Sequence, residues 1–152
     1  MPSTYWVGLS EILQYHIVKF HSFCGLLHQH KMHHNHRQQA LSNSGDHNGA
    51  IQYYDKALAI DANDVDALTS KGADLIRLDK YAEAIKYYDK ALAIDPNPKD
   101  VGVLGNKGIA LYHLGNYTGA IQYYDKALAI DAKNLDALNN KRLAIQKLKI
   151  HY

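Results

Sequence analysis

The chain has 152 residues, with 17 Lys and Arg against 15 Asp and Glu and a hydrophobic content of 47%. That is one domain's worth of chain, with enough apolar material to bury a core. Residues 1–47 and 48–152 each carry a net charge of +1, which argues against a nucleic-acid partner, because phosphate-backbone binding needs clustered, uncompensated Lys and Arg. A single cysteine, Cys24, excludes an intrachain disulfide and a multi-cysteine zinc site.

Residues 1–30 begin with an apolar stripe. Trp6, Leu9, Leu13, Ile17, Phe20, Cys24 and Leu27 recur at three- or four-residue steps, which predicts an amphipathic helix from about residue 4 to 29. Glu11, Gln14, His16, Lys19 and His21 interrupt the stretch, so it does not read as a membrane span. Nor does positive charge precede it, as in a secretory signal. The polar face lacks the Lys and Arg of a membrane-surface helix. We therefore expect a soluble, cytoplasmic protein without a membrane partner, whose first helix caps the following array or mediates self-association.

A histidine-rich connector follows, to about residue 36. Five of the ten histidines fall in residues 28–36, and His30 and His34 would share a helix face one turn apart, in the manner of a metal pair. No Asp or Glu lies nearby to complete a catalytic zinc set. The tract reads as a polar connector, with His30 and His34 as weak metal candidates, and no cofactor is expected.

The rest of the chain repeats itself. Residues 49–62 (GAIQYYDKALAIDA) recur letter for letter at 119–132, and residues 83–96 differ from both at three places. The resulting units are a degenerate first repeat at 31–64, a second at 65–98, a third at 101–134, and a C-terminal capping helix at 135–150. Within the second unit Leu68, Gly72, Leu75 and Leu78, then Tyr81, Ala84, Ile85, Tyr88, Ala91 and Leu92, give two apolar stripes at helical spacing. The third repeats this from Leu104 to Leu128. Gly115 suits the left-handed position that closes a helix, Asn116 can cap the next one, and Pro96 stops the second unit. We expect Gly72 to lie against Ala84 and Gly108 against Ala120 where paired helices cross. In the first unit Gln38 stands in the glycine's place, and Ser42, Ser44 and His47 stand where the third unit has Tyr112, Leu114 and Tyr117. The capping helix carries Leu138, Ile145 and Leu148, with Arg142 in the glycine's place and Lys141, Arg142, Lys147 and Lys149 expected in water. Of each Tyr-Tyr pair, one ring should be buried and its neighbour near the surface.

Through Gly72, Tyr81, Ala84, Tyr88, Ala91 and Pro96, and again through Gly108, Gly115, Tyr117, Ala120, Tyr124 and Ala127, the sequence resembles the tetratricopeptide repeat family. The resemblance implies an all-α solenoid of antiparallel helix hairpins, non-enzymatic, whose first helices line a concave groove that holds a partner peptide. The groove residues it implies are Thr69, Ala73, Ile76 and Arg77, then Asn106, Ile109, Tyr112 and His113, then Asn139, Leu143 and Gln146. Some family members grip a terminal carboxylate through Lys, Asn and Arg. In one register those places hold Asn35, Gln39, Ser70, Gly102 and Asn106. In the next they hold Thr69, Ala73, Asn106, Asp136 and Asn140. Neither register supplies a cation. The function read from the sequence is a protein–protein interaction adaptor, with a self-assembling structural module or a His-rich metal-binding protein as alternatives.

Overall fold

The apolar stripes at three- and four-residue steps fold as helices. A computed structural model describes residues 40–96, 98 and 101–150. Six helices follow one another in it: α1 (His47–Ile60), α2 (Val65–Arg77), α3 (Tyr81–Ile94), α4 (Gly102–His113), α5 (Tyr117–Ile130) and α6 (Leu135–Ile150). Residues 40–43 are helical as well and lead into α1. No strand occurs among the described residues, so the fold is all-α. The helix expected over residues 4–29, the histidine tract and the metal candidates His30 and His34 lie outside the described residues.

Three turns of one design set the hairpin geometry. The Asp46, Lys80 and Asn116 amides donate to the carbonyls of Leu41, Leu75 and Leu111, closing the preceding helix. The residue before each amide has positive φ: Gly45 at 86°, Asp79 at 58° and Gly115 at 78°. Asp46 and Asn116 then cap the next helix, their side chains accepting from the Gly49 and Gly119 amides at 2.9 Å, whereas Lys80 supplies no such bond. All three second helices stop at the same place, before Asp61, Asp95 and Asp131. Only the middle one has a proline next, so the stop does not require Pro96. The Asp61 and Asp131 carboxylates accept from the amides two residues on, which turns the chain without proline.

Each helix packs on the next in the chain. Ala50 and Tyr54 meet Ala67, and Leu75, Ala84, Tyr88 and Val103 form a second cluster. Leu104, Ala127 and Ala137, then Ala120, Tyr124 and Ala144, carry the core to α6. Of the tyrosine pairs, Tyr54, Tyr88 and Tyr124 are buried and Tyr53, Tyr87 and Tyr123 half-buried, as expected. The helical glycines serve the inner rings. A Cβ on Gly72 would come within 2.7 Å of the Tyr88 ring and one on Gly108 within 2.5 Å of the Tyr124 ring. The nearest neighbours of these glycines are therefore aromatic faces and not Ala84 and Ala120, because the rings fill the space that the missing side chains leave.

A polar latch joins successive hairpins. Lys71 is only 6% exposed, and its ammonium is paired with Asp55 of α1 and donates to the Tyr87 hydroxyl of α3 at 2.7 Å. Lys107 repeats this with Asp89 and Tyr123. Lys141 pairs with Asp125 at 2.5 Å, so this half-buried lysine faces α5 and not open solvent, unlike Arg142, Lys147 and Lys149. Burial opposes the charged form of Lys71 and Lys107, but the carboxylate and phenol outweigh it and raise both pKa values.

Candidate functional site

The first helices of successive hairpins touch one another, α2 with α4 and α4 with α6, while α1, α3 and α5 make no comparable contact. A stack whose first helices lie closer together than its second ones curves toward the first-helix side, which is therefore the inner face.

The residues expected on that face keep access to solvent in all three helices. Thr69, Ala73 and Ile76 are half-buried and Arg77 is exposed on α2. On α4, Asn106, Ile109 and Tyr112 are half-buried and His113 is exposed, and on α6, Asn139, Leu143 and Gln146 are exposed. Ala73, Ile109 and Leu143 occupy equivalent places and make an apolar row across the three helices. Asn106 and Asn139 supply amides beside it, a set that suits hydrogen bonding to peptide groups.

Three of these side chains also serve the core. Ile76 packs against the cluster of Leu75, Ala84, Tyr88 and Val103. Ile109 and Tyr112 pack against the cluster of Ala120, Tyr124 and Ala144. They do not stand clear on the side opposite Leu111, as the helical phase alone implies, because α5 and α6 flank α4 closely enough to reach both sides. The Tyr112 ring meets Tyr117 edge-on at 5.3 Å and His113 at 5.6 Å. His113 in turn lies flat on Tyr81 of the preceding hairpin, 4.5 Å between centroids and 2° from parallel. Tyr81 and Tyr117, which read in the sequence as packing aromatics, also frame this end of the face. Their recurrence one period apart, with His113 and Tyr112 just before Tyr117, was the available signal.

The face is framed by buried phenols. Burial pushes the Tyr124 hydroxyl up to about 12, with nearby Tyr112 adding to it. Burial likewise raises Tyr88, with the Asn106 side chain working against it. Among the described residues no group of three or more His, Cys, Asp or Glu is disposed to hold a metal ion, and no helix is long and apolar enough to cross a membrane.

The geometry defines a class, the solenoid of antiparallel helix hairpins with a first-helix inner face. Tetratricopeptide repeat models match residues 69–134 and 39–64, together more than half of the chain. The protein belongs to the tetratricopeptide repeat family. A comparison with curated proteins finds no match. Among solved structures, the first TPR of Spaghetti (RPAP3) bound to the HSP90 peptide SRMEEVD is 23% identical, with a TM-score of 0.71 over 75% of this chain and 89% of that one. The second TPR domain of human RPAP3 in complex with the HSP70 peptide SGPTIEEVD is 21% identical, with a TM-score of 0.68 over 73% and 91%. The Sgt2 TPR domain from Aspergillus fumigatus is 19% identical, with a TM-score of 0.68 over 74% and 75%. At these identities the likeness is one of fold.

Proposed function

We propose that the protein is an adaptor that acts by binding, without catalysis, and holds a segment of a partner protein along the inner face of α2, α4 and α6. The observation that carries this reading is the apolar row of Ala73, Ile109 and Leu143, each keeping access to solvent at equivalent places of the first helices of successive hairpins and flanked by Thr69, Asn106 and Asn139. Two structural neighbours of this fold hold peptides ending in EEVD. Here Thr69, Ala73, Asn106, Asp136 and Asn140 supply no cation for a terminal carboxylate, so the partner segment is an internal one read by apolar and amide contacts. The single cysteine and the balanced charge fit a cytoplasmic setting.

Cross-linking mass spectrometry on the full chain with its captured partner tests this, together with Leu143→Asp, a change at a 45% exposed position that leaves the core intact. Cross-links should cluster on α2, α4 and α6, and the variant should lose binding. A partner retained at full affinity by Leu143→Asp overturns the reading. Tyr112→Ala is the poorer probe, because Tyr112 also packs on the core.

A second reading, the self-assembling module, is favoured by the apolar residues exposed along α6: Leu135 at 72%, Leu138 at 43% and Ile150 at 76%. Light scattering across a wide concentration range decides it, and a constant monomer mass removes it.

A further inference from the structure

The outer side of the array carries a cavity whose lining differs chemically from the inner face. It measures about 330 Å³ and lies between α1 and α3, with α2 as its floor. Ile51, Leu75 and Tyr87 form its inner wall with Lys71, a buried residue whose ammonium is held by Asp55 and the Tyr87 hydroxyl. Asn48, Lys80, Glu83, Lys86 and Lys90 surround the mouth, all of them exposed. Lys80 and Lys86 make no ion pair with any described residue. Lys90 lies over the Tyr87 ring, 5.6 Å from its centroid. With Lys71 balanced by Asp55, the mouth keeps three ammonium groups against one carboxylate.

The repeats show that this charge is not a property of the fold. Lys80, Glu83 and Lys86 stand where the third repeat has Asn116, Gly119 and Gln122 and the first has Asp46, Gly49 and Gln52. Residues 83–96 depart from the two identical segments at only three places, and two of those, Glu83 and Lys86, line this one cavity. The seam between the second and third repeats keeps the latch lysine Lys107 and the outer Lys126 but neither of the added cations.

We propose that this cavity binds a phosphorylated polyol. Its volume is at the scale of a small-molecule site. Lysines spread around a mouth act as separate point charges and fit anionic groups at several positions of one ligand, whereas a single planar carboxylate is better met by an Arg fork. Glu83 among them repels a uniformly anionic ligand and accepts hydrogen bonds from hydroxyl groups, and the Asn48 amide gives and accepts beside it. Phosphates toward Lys80, Lys86 and Lys90, with hydroxyls toward Glu83 and Asn48, satisfy every polar group at the mouth. A free polyol phosphate and a lipid headgroup share that chemistry.

Calorimetry of the full chain with myo-inositol 1,4,5-trisphosphate tests it. Inorganic phosphate serves as a second probe. Phosphatidylcholine vesicles with and without phosphatidylinositol 4,5-bisphosphate serve as a third. The trisphosphate should bind saturably at one site and more tightly than inorganic phosphate. K80N/K86Q, which installs the third repeat's own letters at exposed positions, should weaken it by about tenfold or more with the helical circular dichroism unchanged. K126Q, at the third repeat's counterpart of Lys90, should leave affinity as it was. Vesicle binding that needs the bisphosphate lipid and falls in K80N/K86Q identifies the source as a headgroup, and soluble binding alone identifies a free polyol phosphate. Absence of binding by both the trisphosphate and the bisphosphate vesicles, equal affinity for inorganic phosphate, or equal loss in K126Q overturns the proposal.

Discussion

Single residues decide how closely the helices of a hairpin approach. Glycine inside a helix is unfavourable by about 1 kcal/mol against alanine, so in an isolated helix Gly108→Ala would stabilise. Here the added methyl meets the ring of Tyr124, itself only 1% exposed, and neither ring nor backbone has room to retreat. Overpacking outweighs propensity, and Gly108→Ala should destabilise by about 1–3 kcal/mol, read from the urea midpoint. A midpoint that rises would show that the ring swings aside. The opposite sign belongs to Asp79, a non-glycine residue at φ 58° where the other two turns use Gly45 and Gly115. Its carboxylate only accepts from the exposed Tyr81 hydroxyl. Asp79→Gly should therefore stabilise by about 0.5–1 kcal/mol by relieving the left-handed backbone, and a drop in thermal midpoint would count against that.

Between elements, the lysine latch does what apolar contacts cannot, since it fixes one hairpin's register on the next through a directional bond. Its two ends differ: Lys107 is 7% exposed overall, while the Asp89 side chain is 55% exposed. Asp89→Ala strands a buried ammonium with only the Tyr123 hydroxyl and should cost about 1–3 kcal/mol. Lys107→Met keeps the buried stem and leaves Asp89 to water, which should cost under about 1 kcal/mol. Equal losses in denaturant titrations of the two variants would mean that burial of the ammonium is not the deciding term. The latch also fixes a pH dependence. A folded pKa raised above the ordinary lysine value of 10.5 gives stability that is full below that value and lost as pH rises through the folded one. The raised phenols Tyr54, Tyr88 and Tyr124 act in the same direction above the ordinary tyrosine value of 10.0. Base unfolding should therefore begin above about pH 10, and absorbance of ionised tyrosine should lag that of an unfolded control. The latch was written in the sequence as Lys71, Lys107 and Lys141 recurring with the repeat. It stayed illegible because a charged letter inside an apolar stripe gives no hint of a partner 16 or 18 residues away.

At the scale of the whole array the helices and the glycine-closed turn at Gly115 were legible, because each is a local pattern tied to the repeat. The joint between the first and second hairpins was not, because Ser42 and His47 read alone as lost packing. In the structure both reach Asp74 of α2: the Ser42 hydroxyl donates to Oδ1 at 2.7 Å, and His47 Nδ1 lies 2.9 Å from the same oxygen and donates in its Nδ1–H form. Asp74 stands where the third repeat has Ala110, so the changes on the two hairpins complement each other. The arrangement is incomplete, for Asp74 is 3% exposed and its Oδ2 has no hydrogen-bond partner among the described residues. Two terms then oppose in Asp74→Ala. Losing the acceptor frees Ser42 and His47, while removing a half-satisfied buried carboxylate recovers its desolvation. Both donors are half-buried and can turn to water, so the urea midpoint should move by less than about 1 kcal/mol. The local effect is larger, because Ser42 and His47 tie the turn at residues 41–46 and the start of α1 to the next hairpin. Repeats touch only their neighbours, so the loosening stays at that end. Amide hydrogen exchange in residues 41–50 should quicken by about tenfold in Asp74→Ala, while α5 keeps its protection. Protection lost equally in α1 and α5 would show that Asp74 holds up the whole array and is not a joint at its first repeat.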